Sequence, residues 1–229
     1  MRFVLVFALA ALTGSAFADT ITTLHSTGNG PAGAADLNWT LVGGTAYVTS
    51  DGFPFPYWFA DNSTSSWISP QGSYTPGSGD PRDSVFEFQT TFTLPQNFNF
   101  ASIMFQAATD NALLDVQLNG SSVGFPLTPE TLPGDNFTTN VIAQGSGFAS
   151  GLGSPLTITN GFLAGTNTLS FFVQNSATNA DNTGNPAGLN VAFSSDYTTS
   201  ATPEPSSFLL LGSGLLLGGG LLRRRRLNK

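Results

Sequence analysis

Short runs of alternating apolar and polar residues are the feature that most limits how this chain can fold. In the run SVFEFQTTFTLP, residues 84–95, phenylalanine and leucine share one parity, while most of the polar residues share the other. Similar alternation recurs in FASIMFQAATDN, LLDVQLNG, GTNTLSFFVQN and AGLNVAFSS. Successive side chains of a strand face opposite sides of a sheet, so each run predicts a half-buried β-strand. Between residues 19 and 198, no long stretch has helical periodicity bounded by caps.

The segments between these runs are rich in glycine, proline and asparagine, the residues of tight turns. The pair Asn119-Gly120 predicts a two-residue hairpin turn after a strand whose apolar face holds Leu114, Val116 and Leu118. Strands joined in this way predict an all-β fold, an antiparallel β-sandwich of jelly-roll type with a phenylalanine-rich core. A β-helix is the lesser alternative, and no repeat of fixed period supports it.

Basic residues are almost confined to the two ends of the chain. Arg82 is the one arginine between residues 19 and 202, where lysine does not occur, and the whole chain has a formal net charge of −7. A body dominated by carboxylates repels phosphate backbones and anionic bilayers, which excludes nucleic acid as a partner. The sequence contains no cysteine, so disulfides, thiolate metal sites and cysteine nucleophiles are excluded as well.

The first residues, MRFVLVFALAALTGSAFA, have the layout of a secretory signal peptide. Arg2 precedes an apolar stretch, and the small residues Ala16 and Ala18 mark the signal-peptidase site. The apolar stretch is shorter than the ~20 residues of a membrane-spanning helix. We therefore expect the general secretion machinery to export the chain, residues 1–18 to be removed, and the mature protein to begin at Asp19.

The last residues combine three elements in a fixed order. Pro203, Glu204 and Pro205 are followed by the apolar segment 206–222, which predicts a single transmembrane helix. A cluster of arginines comes next, and such a cluster stays on the cytoplasmic side of the membrane. Its members are Arg223, Arg224, Arg225 and Arg226. Residues 199–229 are therefore predicted to tether an exported domain, residues 19–198, to the membrane.

The Pro-Glu-Pro motif, the apolar segment and the arginine cluster together resemble the PEP-CTERM protein-sorting signal of bacteria. The resemblance implies that exosortase, an integral-membrane enzyme, recognises the signal and cuts near the Pro-Glu-Pro motif. It also implies a route for the protein, with transient insertion in the inner membrane followed by the cell surface or the extracellular polysaccharide of a Gram-negative-type bacterium.

The central region resembles the exported β-sandwich domains that are common in PEP-CTERM proteins and that look like galactose-binding-domain folds. The similarity runs from Trp67 to Ser195, through TTFTLP, ATDNALLDVQLNGSSVG, GFLAGTNTLSFFVQN and NPAGL. It rests on strand and turn patterns, so it implies a fold and brings no catalytic role.

The stretch FPFPYWFADNSTSSW places the aromatic side chains of Tyr57, Trp58 and Trp67 close together in sequence. Exposed aromatic faces stack on the apolar faces of sugars, so this cluster is a candidate sugar-binding site. The alternative, which the pattern favours, is that Trp58 and Trp67 anchor an irregular loop to the core.

Acidic residues beside asparagine or glycine are the candidate metal ligands. Asp110, Asp135 and Asp181 lie in TDNA, PGDNF and ADNTGN, where a solvated turn explains each of them without a ligand. Calcium accepts loosely spaced oxygen ligands, so a structural calcium ion is the one cofactor that these loops suit, although no EF-hand signature is present. His25 is the only histidine and no nucleophile-elbow motif occurs, so the sequence does not predict an enzyme.

Three hypotheses about function follow from these patterns. The first is an exported bacterial surface or extracellular-matrix protein, sorted by exosortase, with a structural or adhesive role and with extracellular polysaccharide as a partner. The alternative is a carbohydrate-binding module that uses the exposed aromatic residues. A secreted hydrolase, based on the acidic loops alone, is the weakest of the three.

Overall fold

The computed structural model describes residues 18–49, 58–73, 80–81, 83–131, 138–142, 151–176 and 186–199. Nearly all of them belong to one body, Ala18–Thr198. They form strands and turns, and no helix long and apolar enough to cross a membrane is found among them. The predicted transmembrane segment 206–222 and residues 1–17 of the predicted signal peptide lie outside the described residues.

Thirteen strands are present in the described part of the chain. The first six are β1 (Ala18–Asp19), β2 (Trp39–Leu41), β3 (Tyr47–Val48), β4 (Ile68–Ser69), β5 (Val85–Leu94) and β6 (Phe98–Asp110). The others are β7 (Ala112–Leu118), β8 (Ser121–Ser122), β9 (Leu127–Thr131), β10 (Thr138–Ile142), β11 (Leu156–Ile158), β12 (Gly165–Gln174) and β13 (Gly188–Thr199).

These strands form two larger sheets and one separate strand pair. The six-stranded sheet has the order β11-β6-β13-β4-β3, with β1 added beside β13. The five-stranded sheet has the order β2-β5-β12-β7-β8, and β9 pairs with β10. Pairing is antiparallel, as between β12 and both of its neighbours. The predicted all-β class with antiparallel sheets is confirmed, whereas the jelly-roll connectivity stays a prediction.

An aromatic core lies between the two larger sheets. Phe171 of β12 is fully buried, and its ring centroid lies 5.2 Å from that of Phe105 of β6 and 5.6 Å from that of Trp39. Phe193 of β13 packs on the same rings, 6.0 Å from Trp39 and 6.3 Å from each phenylalanine. Because Phe105 and Phe171 belong to different sheets, their contact shows that the sheets pack face to face.

The alternating run from 84 to 95 forms β5, and its even-numbered apolar side chains enter the core. Phe88, Phe92 and Leu94 are at most 1% exposed. The Asn119-Gly120 pair forms the predicted turn between β7 and β8, with φ angles of 54° and 77°. Positive φ at both central residues is what a hairpin turn of type I′ requires. Local sequence signals therefore predict these two elements correctly.

The core face of β7 differs from the prediction. Alternation places Leu114 in the core, but a β-bulge between Leu113 and Asp115 removes Leu114 from the register with β12. A bulge adds one residue to a strand and changes which side chains face the partner sheet. Leu113 therefore belongs to the main core, while Leu114 packs outside it against Ala112 and Val141.

Candidate functional site

Two loops line a groove with a volume of about 430 Å³. The first loop, residues 24–29, follows β1, and the second loop, residues 62–66, precedes β4. Apart from Leu24 and Gly28, the lining side chains carry hydroxyl groups, amides or the imidazole of His25, and none carries a permanent charge. The groove is therefore a neutral surface that can donate and accept hydrogen bonds.

The carboxylate of Asp36 fixes the end of the first loop. Its Oδ2 accepts hydrogen bonds from the backbone N–H groups of Gly28 at 2.7 Å and Asn29 at 2.9 Å. Its Oδ1 accepts from those of Asn38 at 2.8 Å and Trp39 at 3.0 Å. Asp36 is only 7% exposed, so these four donors replace the water that a buried carboxylate loses. The first loop is consequently tied to the start of β2.

The side chain of Asn62 fixes the second loop in a similar way. Its Oδ1 accepts hydrogen bonds from the backbone N–H and the hydroxyl of Thr64, at 2.8 and 2.6 Å, and from the backbone N–H of Ser65 at 3.0 Å. Its Nδ2 donates to the hydroxyl of Ser65 at 3.3 Å. An asparagine that bonds the backbone two and three residues further on holds the chain in a tight turn.

Thr27 joins the two loops to each other and to β13. Its hydroxyl donates to the carbonyl of Ser66 at 2.7 Å, and its carbonyl accepts from the N–H of Ser66 at 3.0 Å. The N–H of Val191 in turn donates to the Thr27 hydroxyl at 2.9 Å. The loops also approach closely at Gly28, where a Cβ atom would lie 2.2 Å from the Cβ of Ser66. The base of the groove is therefore held by one strand of the six-stranded sheet.

Several polar groups at the groove remain available for a ligand. The side chains of His25, Asn29 and Ser63 are exposed and make no hydrogen bond in the described part of the chain, and the same holds for the hydroxyl of the half-buried Ser66. Their backbones belong to the two fixed loops. The groove thus combines a rigid frame with free neutral donors and acceptors.

A second pocket of about 210 Å³ adjoins the groove at Thr64, which lines both. Its other lining residues come from β6, including Met104 and Gln106, and from β13, including Ala192 and Phe193. Met104 is 43% exposed, so its thioether side chain is accessible there. The polar groove therefore continues into a more apolar pocket.

The candidate aromatic cluster lies mostly in the interior. Trp58 and Trp67 stack at a centroid distance of 4.3 Å and are 9% and 2% exposed. The indole N–H of Trp67 donates to the carbonyl of Phe59 at 3.1 Å, and a Cβ atom at Gly188 would lie 2.1 Å from the Trp58 ring. The burial of both tryptophans agrees with the alternative interpretation, in which they anchor an irregular loop to the core. Their faces would have to become exposed before either ring could stack on a sugar. Tyr57 lies outside the described residues.

Asp110, a candidate calcium ligand, lies at the end of β6 beside a second buried carboxylate. Its Oδ2 accepts a hydrogen bond of 2.7 Å from the indole N–H of Trp58, and its buried Oδ1 has no hydrogen-bond partner. Burial raises the pKa of Asp110 to about 7, the Trp58 hydrogen bond opposes this shift, and the charge of Asp80 adds to it. The structure thus makes the neutral form of Asp110 accessible near neutral pH.

Nothing in the sequence around Asp80, in GSGDP, predicts the environment of its carboxylate. Asp80 is 4% exposed, and burial raises its pKa too. Its oxygens accept hydrogen bonds from Nε2 of Gln71 at 3.0 Å and from the backbone N–H of Ala187 at 2.7 Å. These partners lie nine and 107 residues away along the chain, so no local pattern could reveal them.

The remaining predicted site residues are not placed together by the structure. Asp135 and Asp181 lie outside the described residues, within which no group of three metal-ligating side chains is found. A calcium site therefore stays a prediction. Ala16 and the sorting residues 203–205 and 223–226 also lie outside the described part, while Ala18 is exposed in β1.

Comparisons with solved structures give only distant likenesses. A CBM35 from Paenibacillus barcinonensis has 16% sequence identity and a TM-score of 0.32 over 69% of this chain and 94% of the other. The isomalto-dextranase of Arthrobacter globiformis T6 with panose has 14% identity and a TM-score of 0.31 over 73% of this chain and 22% of the other. The β-glucosidase of Kluyveromyces marxianus with glucose has 12% identity and a TM-score of 0.28 over 56% of this chain and 13% of the other. At such TM-scores, the likenesses support no argument about fold or ligand.

Among curated proteins, none matches the sequence. The C-terminal segment, in contrast, matches a family model. The family model of the PEP-CTERM protein-sorting motif matches residues 201–226, which contain the Pro-Glu-Pro motif, the whole apolar segment 206–222 and the four arginines. The resemblance inferred from the sequence is thereby confirmed. The chain carries a PEP-CTERM sorting motif, which implies an exported protein that exosortase recognises.

Proposed function

We propose that the protein acts outside the cell as a structural or adhesive component of the bacterial surface or extracellular matrix. The observation that carries this proposal is the sorting motif at residues 201–226, which follows a strand-built exported body. In this scheme the tail inserts transiently in the inner membrane, exosortase cuts near Pro203, Glu204 and Pro205, and the body reaches the surface or the surrounding polysaccharide. The proposal gives the body no catalytic role.

The first test is to determine both termini of the extracellular protein by mass spectrometry. We expect a mature chain that begins at Asp19 and ends before the arginine cluster. Replacing the arginines at 223–226 by alanine should leave the tail uncut, because those charges fix the orientation of the membrane segment. Lys229→Ala, outside the matched motif, is the control and should be processed normally. An extracellular protein that retains Lys229 contradicts the processing scheme.

The adhesive role needs a separate measurement on cells. Cells that lack the gene should attach to surfaces or retain matrix several-fold less than the parent, and the wild-type gene should restore attachment. Equal attachment and equal matrix in the two strains would overturn the adhesive role without affecting the processing scheme.

The alternative function is carbohydrate binding. The neutral groove between the first and second loops supports this alternative better than the aromatic cluster does, since the faces of Trp58 and Trp67 are buried. The two functions are compatible, because a protein that adheres to matrix must hold one of its polymers.

A further inference from the structure

We infer that the groove between the first and second loops binds a short stretch of a neutral polysaccharide, and that the bound chain continues into the neighbouring pocket. This inference rests on the proposed adhesive function, for which it names the class of ligand and the place of binding. The site differs from the aromatic cluster that the sequence suggested.

The size and charge of the groove select this class of ligand. A volume of about 430 Å³ lies within the range of small-molecule sites. No aspartate, glutamate, lysine or arginine lines either pocket. An anionic polysaccharide would therefore find no cation to pair with, and the acidic body, in which Arg82 is the only arginine or lysine between residues 19 and 202, would repel it. A neutral sugar has no such penalty.

The free groups at the groove match the chemistry of sugar hydroxyls. A hydroxyl is both a donor and an acceptor, and so are the serine hydroxyl, the asparagine amide and the neutral imidazole. Asn29 and His25 present such groups from the first loop, and Ser63 presents one from the second. A ligand between the loops can thus form hydrogen bonds to both sides of the groove at once.

The two loops of the groove are held in place before a ligand arrives, which favours binding because the loops need not become ordered. Asp36 holds the first loop by four backbone hydrogen bonds, and Asn62 holds the second loop by its turn. Loops that are already ordered lose little conformational entropy when a ligand binds, which improves affinity. The same frame fixes the spacing between Asn29 and Ser63.

The adjoining pocket supplies the apolar contact that the groove lacks. Sugar rings have C–H faces that pack on apolar side chains, and Met104 of β6 and Phe193 of β13 line this pocket. Thr64 lines both pockets, so one linear chain can occupy them in succession. A polymer is therefore a better ligand than a free monosaccharide.

The test uses the mature exported protein, purified from cells, in affinity electrophoresis through gels containing soluble dextran, galactan or xylan. Alginate serves as the anionic probe. We expect at least one neutral polysaccharide to retard the protein and alginate to leave its migration unchanged. The double variant Asn29→Ala with Ser63→Ala should bind the retarding polymer at least about tenfold more weakly, the loss expected from about 1.4 kcal/mol.

A matched double variant, Ser154→Ala with Asn160→Ala, removes the same chemical groups from exposed positions outside both pockets and should bind like the wild type. Thermal unfolding of both double variants should match the wild type, since the side chains of Asn29 and Ser63 form no internal hydrogen bond in the described structure.

Two results would overturn the inference. One is unchanged migration of the wild type in all three neutral gels, and the other is undiminished binding by the groove variant. If cells expressing the groove variant also attach as well as the parent, the proposed adhesive function stands and only the ligand site is refuted. Loss of the adhesive function itself is recognised separately, by equal attachment of cells that lack the gene.

Discussion

The carboxyl group of Asp110 accepts a hydrogen bond from the indole N–H of Trp58, and the charge of a second buried carboxylate, Asp80, acts on it. No arginine or lysine is a hydrogen-bond or ion-pair partner of either carboxylate in the described structure. A buried carboxylate without a cationic partner is stabilised when it takes up a proton. The stability of the loop that carries Trp58 should therefore depend on pH.

We expect the free energy of unfolding to decrease as the pH rises from about 4 to about 7. The pKa of Asp110 is raised to about 7 in the folded protein, so the folded state binds more protons than the unfolded state in this interval. The contribution is fully present below the pKa of the unfolded state and is lost through the folded pKa, with a slope of up to about 1.4 kcal/mol per pH unit. Urea unfolding at a series of pH values measures this slope.

The variant Asp110→Asn should flatten this pH dependence, because an amide does not titrate and its oxygen still accepts the Trp58 hydrogen bond. Asp196→Asn, at a partly exposed carboxylate of β13, is the matched control and should retain the slope of the wild type. A pH dependence of stability that is the same in Asp110→Asn as in the wild type would show that Asp110 does not titrate in this way.

The sequence could not predict how the two loops of the groove are brought together. Aspartate, asparagine and threonine are ordinary residues of turns. The structural roles of Asp36, Asn62 and Thr27 depend on hydrogen-bond partners that folding brings close. Thr27 and Val191, for example, are 164 positions apart. For Asp110, the sequence predicts a calcium ligand or a solvated turn, whereas the structure shows a buried carboxyl group that accepts a hydrogen bond from the indole N–H of Trp58.

Strand β12 lies at the centre of the five-stranded sheet, paired with β5 on one side and β7 on the other. Its alternation is regular, so the sequence predicts both the strand and its buried face. The alternation of apolar and polar residues cannot reveal the bulge in β7. One inserted residue leaves the apolar composition of LLDVQL unchanged and only shifts its pairing with β12.

Phe171→Ala in β12 should destabilise the protein by about 3–5 kcal/mol, because it leaves a cavity among Trp39, Phe105 and Phe193. Chemical denaturation of the mature protein measures the change. Leu163→Ala, at a side chain that is 55% exposed just before the same strand, should change stability by less than about 0.5 kcal/mol. A similar small change for Phe171→Ala would mean that the two sheets do not pack through this ring.

Strand β13 ends at Thr199, one residue after the end of the body Ala18–Thr198, and the sorting motif begins at residue 201. The last part of β13 pairs with β1, Ala18 opposite Thr198 and Asp19 opposite Tyr197. Tyr197 also packs against the main core. In a mature chain that begins at Asp19, the body therefore uses β13 as far as Tyr197, whereas the motif belongs to a separate unit of the chain.

A mature chain truncated after Thr199 should unfold within about 2 °C of the complete mature chain, because both proteins contain the same described strands, from Asp19 of β1 to the end of β13. Truncation after Phe193 removes the pairing with β1 and the Tyr197 contact, and the loss of several kcal/mol should lower the melting temperature by about 10 °C or more. Calorimetry of the two proteins distinguishes these cases. A large drop for the longer protein would assign the tail a part in folding.

Strand β13 also determines the direction in which a mechanical force would act on the body. Val191 exchanges hydrogen bonds with Thr27 below the groove, and the chain leaves the same strand at Thr199. β13 lies between β6 and β4, and the hydrogen bonds of a sheet are roughly perpendicular to its strands. If the polymer proposed for the groove is pulled while the protein is held at its C-terminal end, the force therefore acts lengthwise on β13. The hydrogen bonds on both sides of β13 would then share the force in shear and would not open one after another, a response that fits the proposed adhesive role.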